Sequence, residues 1–257
     1  MAAALAAVLG GLAVTSGGCA TDHSGLTPPG VLVVPYDTAD GDVLWAIAPP
    51  TNESGTDLVD PMRVGDQLAA TVTEVNGLQA VPLNRTIRAM RAIELQRVAN
   101  PRDAQKLASA VGADGVLVTS ITAYDPYDPP VFGITLALFG RPGSLQARPD
   151  LLSHPRLFQM QATDARLEEM TGHGDEPEAV AALHLDARSH DVMLRLEDYA
   201  RGRTEAESAL GWRIHVADMD LYTKFASFAA VGALIDQEWL RAAEQSVQTT
   251  NASGLGQ

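Results

Sequence analysis

Apolar residues recur along this chain with two different periods, and the switches between them mark the elements. Val31-Leu32-Val33-Val34-Pro35-Tyr36 is a short β-rich run, read as the first strand, with Pro35 confining it to an end or an edge. Ala48 to Gly55, with Pro49 and Pro50, reads as a loop. Leu58, Met62, Gly65, Leu68, Val72 and Val75 return at helical spacing and predict an amphipathic helix over 57–76, ended by Asn76-Gly77. Leu78 to Leu83 is a short strand. Asn84 stands where a second helix with Ile87, Met90, Ile93 and Val98 would be capped. Asn100-Pro101-Arg102-Asp103 combines a cap, a proline at the first helical position and an acid in the first turn, so a third helix runs to Val111 and Gly112 closes it. Gly115 to Tyr124, rich in β-branched residues, predicts a central strand in which Val118 is buried. Val131 to Phe139 follows after a loop of turn formers, Asp125 to Pro130, short enough to make the two strands antiparallel.

The carboxy-terminal half continues the pattern. Gly140 to Pro155 is a loop, residues 156–169 and 179–187 are two strands, and Ser189 opens a helix from His190 to Arg201. Met219, Tyr222, Phe225, Phe228, Val231, Ile235 and Trp239 form one stripe on a long last helix, about 218–245. Its apolar run from Phe225 to Ile235 is too short to span a bilayer and suits packing across a sheet. The expected fold class is therefore α/β: a single domain with a mixed central sheet, helices packed against it and a long C-terminal helix. It occupies residues 30–247, with a disordered tail at 248–257.

Composition sharpens this. Aromatics are only 5% of the chain, so Ala, Val and Leu are expected to fill the core. The net charge of −14 disfavours nucleic-acid binding, which requires phosphate neutralisation. It equally disfavours adsorption to anionic lipid. The charge is unevenly placed. Residues 85–106 carry Arg85, Arg88, Arg91, Arg97, Arg102 and Lys106 against Glu94 and Asp103, whereas residues 164–207 hold 12 acids and 5 bases. Arg85, Arg88 and Arg91 fall three apart on one helix side. Opposed fields of this kind suit electrostatic pairing with another protein, and these three arginines are the candidate partner-binding residues. The competing interpretation is an ordinary solvated helix face.

The single cysteine, Cys19, closes the apolar run Ala2 to Val14 followed by Thr15-Ser16-Gly17-Gly18. No intramolecular disulfide is possible. This arrangement resembles the lipidation site of bacterial lipoprotein signal peptides, in which the chain is cut before the Cys and the Cys carries the lipid. The resemblance implies a signal peptide at 1–18, a lipidated Cys19 and a stalk at 19–29, with the mature protein tethered in the cell envelope. Ala20 after the Cys, rather than Asp, implies the outer membrane, facing the periplasm.

Val31 to Phe139, with Ala110-Val111-Gly112-Ala113-Asp114-Gly115-Val116-Leu117-Val118-Thr119-Ser120-Ile121 as its motif, resembles a small α/β domain of envelope lipoproteins. That group includes the lipoprotein activators of penicillin-binding proteins, the curli-secretion lipoprotein and the amino-terminal domain of TolB. The overall look is also similar to an uncharacterised planctomycete-type lipoprotein group. The implied role is a non-enzymatic protein-binding or assembly module whose partner is another envelope protein. No catalytic residue and no cofactor come with it.

Two alternatives stand beside this reading. His184, Asp186 and His190 are the candidate ligands of a metal-dependent hydrolase, since the first two share a strand face and the third begins a helix. No Gly-x-Ser-x-Gly elbow, His-Glu-x-x-His or phosphate-cradling loop accompanies them. The other alternative is a subunit of a homo-oligomeric envelope assembly. No alternating membrane hairpin is present to build a pore, and Val131 to Phe139 is too uniformly apolar to line a channel.

Overall fold

A computed structural model describes residues 30–157, 176–204 and 209–254, with side chains to residue 248. Cys19, the 1–18 segment and the 19–29 stalk lie outside the described residues, as does most of the expected 156–169 strand, whose first two residues belong to a helical turn at 155–157.

The sheet consists of β1 (Val43–Ile47), β2 (Thr51–Asn52), β3 (Leu78–Val81), β4 (Gly115–Asp125), β5 (Val131–Gly140) and β6 (Ala179–Asp186). The helices are α1 (Pro61–Thr73), α2 (Leu83–Ala92), α3 (Pro101–Val111), α4 (His190–Ala200), the short α5 (Ile214–Ala217) and α6 (Met219–Gly254). Strand order is β3-β1-β4-β5-β6, with β2 also on β4. The β1–β3, β1–β4 and β2–β4 pairs are parallel, and β4–β5 and β5–β6 antiparallel, which makes the sheet mixed. β4 is the central strand.

Several elements form for local reasons. Asp60 caps α1 by accepting from the Met62 and Arg63 amides, and Pro61 enters the first turn. Asn100 accepts from the Asp103 amide at 3.0 Å, and Gly112 ends α3 at φ 74°, a left-handed conformation that costs glycine little. Halfway along the β4–β5 ladder the register slips between Ile121 and Ala123. Gly133 sits opposite this bulge, where a Cβ would come within 2.5 Å of the Thr122 hydroxyl.

The sequence misplaces the first strand. Val31 to Tyr36 makes only two isolated bridges, Val33 with Asn76 and Tyr36 with Ala147. The ladder starts instead at Val43–Ile47, pairs with β4, is interrupted at Pro49-Pro50, which have no N–H to give, and resumes at Thr51–Asn52. α2 starts at Leu83 behind Pro82, so Asn84 lies inside the helix and does not cap it. Helix α6 extends to Gly254, beyond the 247 boundary.

Two cores lie on opposite faces of the sheet. The larger is covered by α1, α4 and α6 and holds Trp45, Trp239, Tyr36, Tyr222, Phe132 and Phe225, all fully buried. Ala, Val and Leu make up most of both cores, as the composition predicts, and these six aromatics add a large apolar area each to the larger one. Tyr222, Phe225, Val231, Ile235 and Trp239 of the predicted α6 stripe are buried there. The smaller core, under α2 and α3, is built from Ala46, Ala48, Val81, Met90, Ala104, Leu107, Ala108, Val111 and Val116. Val118 points to this side and is only half-buried; the buried residues of β4 are Gly115, Val116, Leu117, Thr119 and Ile121. Among the described residues, no helix is long and apolar enough to cross a membrane.

Candidate interaction surface

α2 buries Leu83, Thr86 and Met90, the last in the smaller core. Residues offset by roughly half a turn then face water, and these are Arg85, Arg88 and Arg91, all exposed. Arg102 and Lys106 on the neighbouring α3 are exposed too, as is Arg97 between the helices. Among the described residues none of these six cations has an acidic partner. Eight arginines elsewhere do. The positive field over α2 and α3 is therefore not neutralised locally, while Arg63 is tied to Asp220, Arg141 to Asp114 and Arg148 to Asp150.

The proposed metal ligands do not assemble. Among the described residues no group of three or more His, Cys, Asp or Glu side chains is placed to hold a metal ion, so His184, Asp186 and His190 do not form the centre that the alternative hydrolase reading requires. Asp186 is held by Arg188 at 2.9 Å, and that guanidinium keeps its carboxyl below the usual carboxylate range. His184 and His190 are exposed. Asp125 accepts from the Tyr127 amide, an ordinary turn contact.

Two polar clusters escape the sequence reading. In the first, Glu238 is fully buried, accepts a hydrogen bond from the Tyr36 hydroxyl at 2.6 Å and is gripped by Arg241 through Nε and Nη2 at 2.9 and 2.7 Å. Arg241 also reaches Glu178 at 3.1 Å. Burial, reinforced by Glu238, pushes the Tyr36 hydroxyl well above its ordinary pKa. A cavity of about 620 Å³ opens beside this network, between the 141–149 loop and Arg241. The only signal in the sequence is an acid next to Trp239 inside the apolar stripe. In the second cluster, His215 is buried, its Nε2 lies 2.9 Å from the Thr204 hydroxyl, and its ring meets the edge of Tyr199. Burial lowers its pKa, and Arg203 and Lys224 add to the effect. Arg203 lies over the rings of Tyr199 and Phe228 at 4.3 and 4.6 Å.

No protein-family model and no curated protein sequence matches this chain. Solved structures do. The LpoB C-terminal domain from Salmonella enterica overlaps 43% of this chain and 77% of its own length, at 15% identity and a TM-score of 0.31. Lipoprotein GNA1162 from Neisseria meningitidis overlaps 49% and 99%, at 19% identity and 0.33. The hypothetical protein CT253 from Chlamydia trachomatis overlaps 76% and 98%, at 10% identity and 0.37.

Proposed function

We propose that this chain is a non-enzymatic protein of the cell envelope, tethered through a lipid on Cys19, that binds another envelope protein through Arg85, Arg88 and Arg91. The observation that carries the binding role is the contrast in charge pairing: the α2 and α3 cations stand free among the described residues, while eight arginines elsewhere are matched to acids. An unmatched basic face on a chain of net charge −14 suits an acidic protein surface better than nucleic acid or bare anionic lipid. The anchoring role rests on the Ser16-Gly17-Gly18-Cys19 pattern. One acyl chain gives only reversible membrane binding, so stable attachment requires at least two on the processed Cys19. The outer membrane, facing the periplasm, is the proposed address.

Two experiments test the two halves separately. Mass spectrometry of the protein from membranes is expected to find a truncated, acylated amino terminus at Cys19; an intact chain with a free thiol there would remove the anchor. A pull-down from detergent-solubilised envelope is expected to recover a partner with the native chain and to lose it with Arg85→Glu/Arg88→Glu/Arg91→Glu. Undiminished recovery by the triple variant would remove the docking face.

A further inference from the structure

Asn76 and Gly77 join the end of α1 to β3, and Asn76 is exposed. Glycine is required at 77. Its φ is 91°, and a Cβ there would lie 2.7 Å from Val34 Cγ2. The Asn-Gly pair is therefore set by the turn itself. Among the described residues, neither the Asn76 side-chain amide nor the Gly77 N–H has a hydrogen-bond partner. The other asparagines with described side chains differ in this respect. Asn52 gives Nδ2 to Thr56 O at 2.6 Å, and the amide after it, Glu53 N, donates to Ile121 O at 2.8 Å. Asn84 lies inside α2, and the amide after it, Arg85 N, donates to Pro82 O at 2.9 Å. Asn100 caps α3 and precedes Pro101, which has no N–H at all. Only at Asn76 are a free side-chain amide and a free, unhindered following N–H placed together on the surface.

We propose that Asn76 is a site of spontaneous deamidation in the folded protein, and that the modification releases the Leu32 to Val34 segment from the start of β3. Hydroxide removes the Gly77 amide proton, and the nitrogen attacks Asn76 Cγ. A Cγ–N bond forms, the Cγ–Nδ2 bond breaks, and Nδ2 takes up a proton and leaves as ammonia. Water then opens the cyclic imide. Attack at Cγ leaves aspartate; attack at the main-chain carbonyl carbon leaves isoaspartate, whose main chain runs through Cβ and Cγ. Closing the ring turns the Asn76 carbonyl, which holds the Val34 amide at 3.2 Å. That bond and the one from the Asn76 amide to Leu32 O, at 2.8 Å, make up the Val33–Asn76 bridge. An extra methylene between those two groups keeps both from being made at once. The new carboxylate also stands two residues from Glu74, a like charge. The bonds further along, Trp239 Nε1 to Val33 O and the Arg148 amide to Pro35 O, do not involve the modified residue. Nothing in this chemistry depends on partner docking at the α2 arginines.

Peptide mapping by mass spectrometry of the full native chain, held in mildly alkaline buffer, tests the site. Asn76 is expected to convert with time to a mixture of aspartate and isoaspartate, faster as the pH rises. Asn52, Asn84 and Asn100 are expected to stay amidated over the same period, and Asn76→Ser to give no product at this position. Hydrogen exchange tests the release: in the converted chain the Val34 amide is expected to exchange several-fold faster than in the fresh chain. A folded chain whose Asn76 stays amidated over a period in which the urea-unfolded chain converts overturns the site. Equal conversion at Asn52 overturns the selectivity on which it rests. Conversion that leaves Val34 exchange unchanged overturns the release.

Discussion

At the scale of single residues, Glu238 and His215 carry the sharpest consequences. Glu238 is a buried carboxylate whose charge is matched by Arg241 and the Tyr36 hydroxyl. Deleting one partner of such a pair leaves the other charge buried and alone, which is far worse than lacking the pair. Arg241→Ala is therefore expected to destabilise the fold by about 3 kcal/mol or more, read as a lower urea midpoint. His215 acts through pH. Its folded pKa is lowered by burial, so as pH falls the unfolded chain takes up the proton first. Its contribution to stability is complete above about pH 6.5 and is lost as pH drops from there through the folded pKa. Urea midpoints are expected to fall on acidification below about pH 6.5, and His215→Gln to flatten the slope in that window. A slope unchanged by the substitution would assign the pH dependence to other groups.

At the scale of elements, the sequence was legible where a boundary is chemical. Helix α3 could be read to the residue because Asn100, Pro101, Asp103 and Gly112 each act through their own backbone or side chain. Asn100→Ala is expected to cost about 1 kcal/mol in equilibrium unfolding, the usual value of a lost N-cap. β1 was illegible for the opposite reason. Val43 to Ile47 is a five-residue apolar run with no alternation, buried on both faces, and only tertiary pairing distinguishes it from the equally β-rich Val31 to Val34. The position of Val118 follows from the same two-sidedness. β4 separates a large core from a small one, and the small one only half-covers Val118. Leu117→Asp is expected to abolish folding, and Val118→Asp to be milder, a ranking that circular dichroism melts of the two variants check. Of the candidate site, the arginine spacing was visible as a helical period. The Tyr36–Glu238–Arg241 network was not, because Tyr36 lies 202 residues from Glu238 and no local pattern links it to the Glu238–Arg241 pair on α6.

At the scale of the whole molecule, charge decides how a partner is met. Exposed arginines contribute little to stability, so the Arg85→Glu/Arg88→Glu/Arg91→Glu variant is expected to melt like the native chain. Binding should respond through association rate and salt. The Debye length shrinks from about 10 Å at 0.1 M to about 3 Å at 1 M, so native affinity for the captured partner is expected to fall with salt and the variant's salt slope to be shallower. Surface plasmon resonance across a salt series reads both; parallel slopes would place the interaction elsewhere. The lead-in segment Leu32 to Asp37 bears on a different property, mechanical strength. It is stitched to distant parts of the fold: Val33 O takes the Trp239 indole N–H at 2.8 Å, Leu32 O and Val34 N bond with Asn76, Pro35 O takes the Arg148 amide, and Tyr36 holds Glu238. A pull on the amino terminus, such as the proposed anchor at Cys19 would deliver, is expected to be borne by α6, the α1–β3 corner and the 141–149 loop together before any strain reaches β1. Under such a load the longest helix would share the force with the β3 edge, and the inner strands would be reached last.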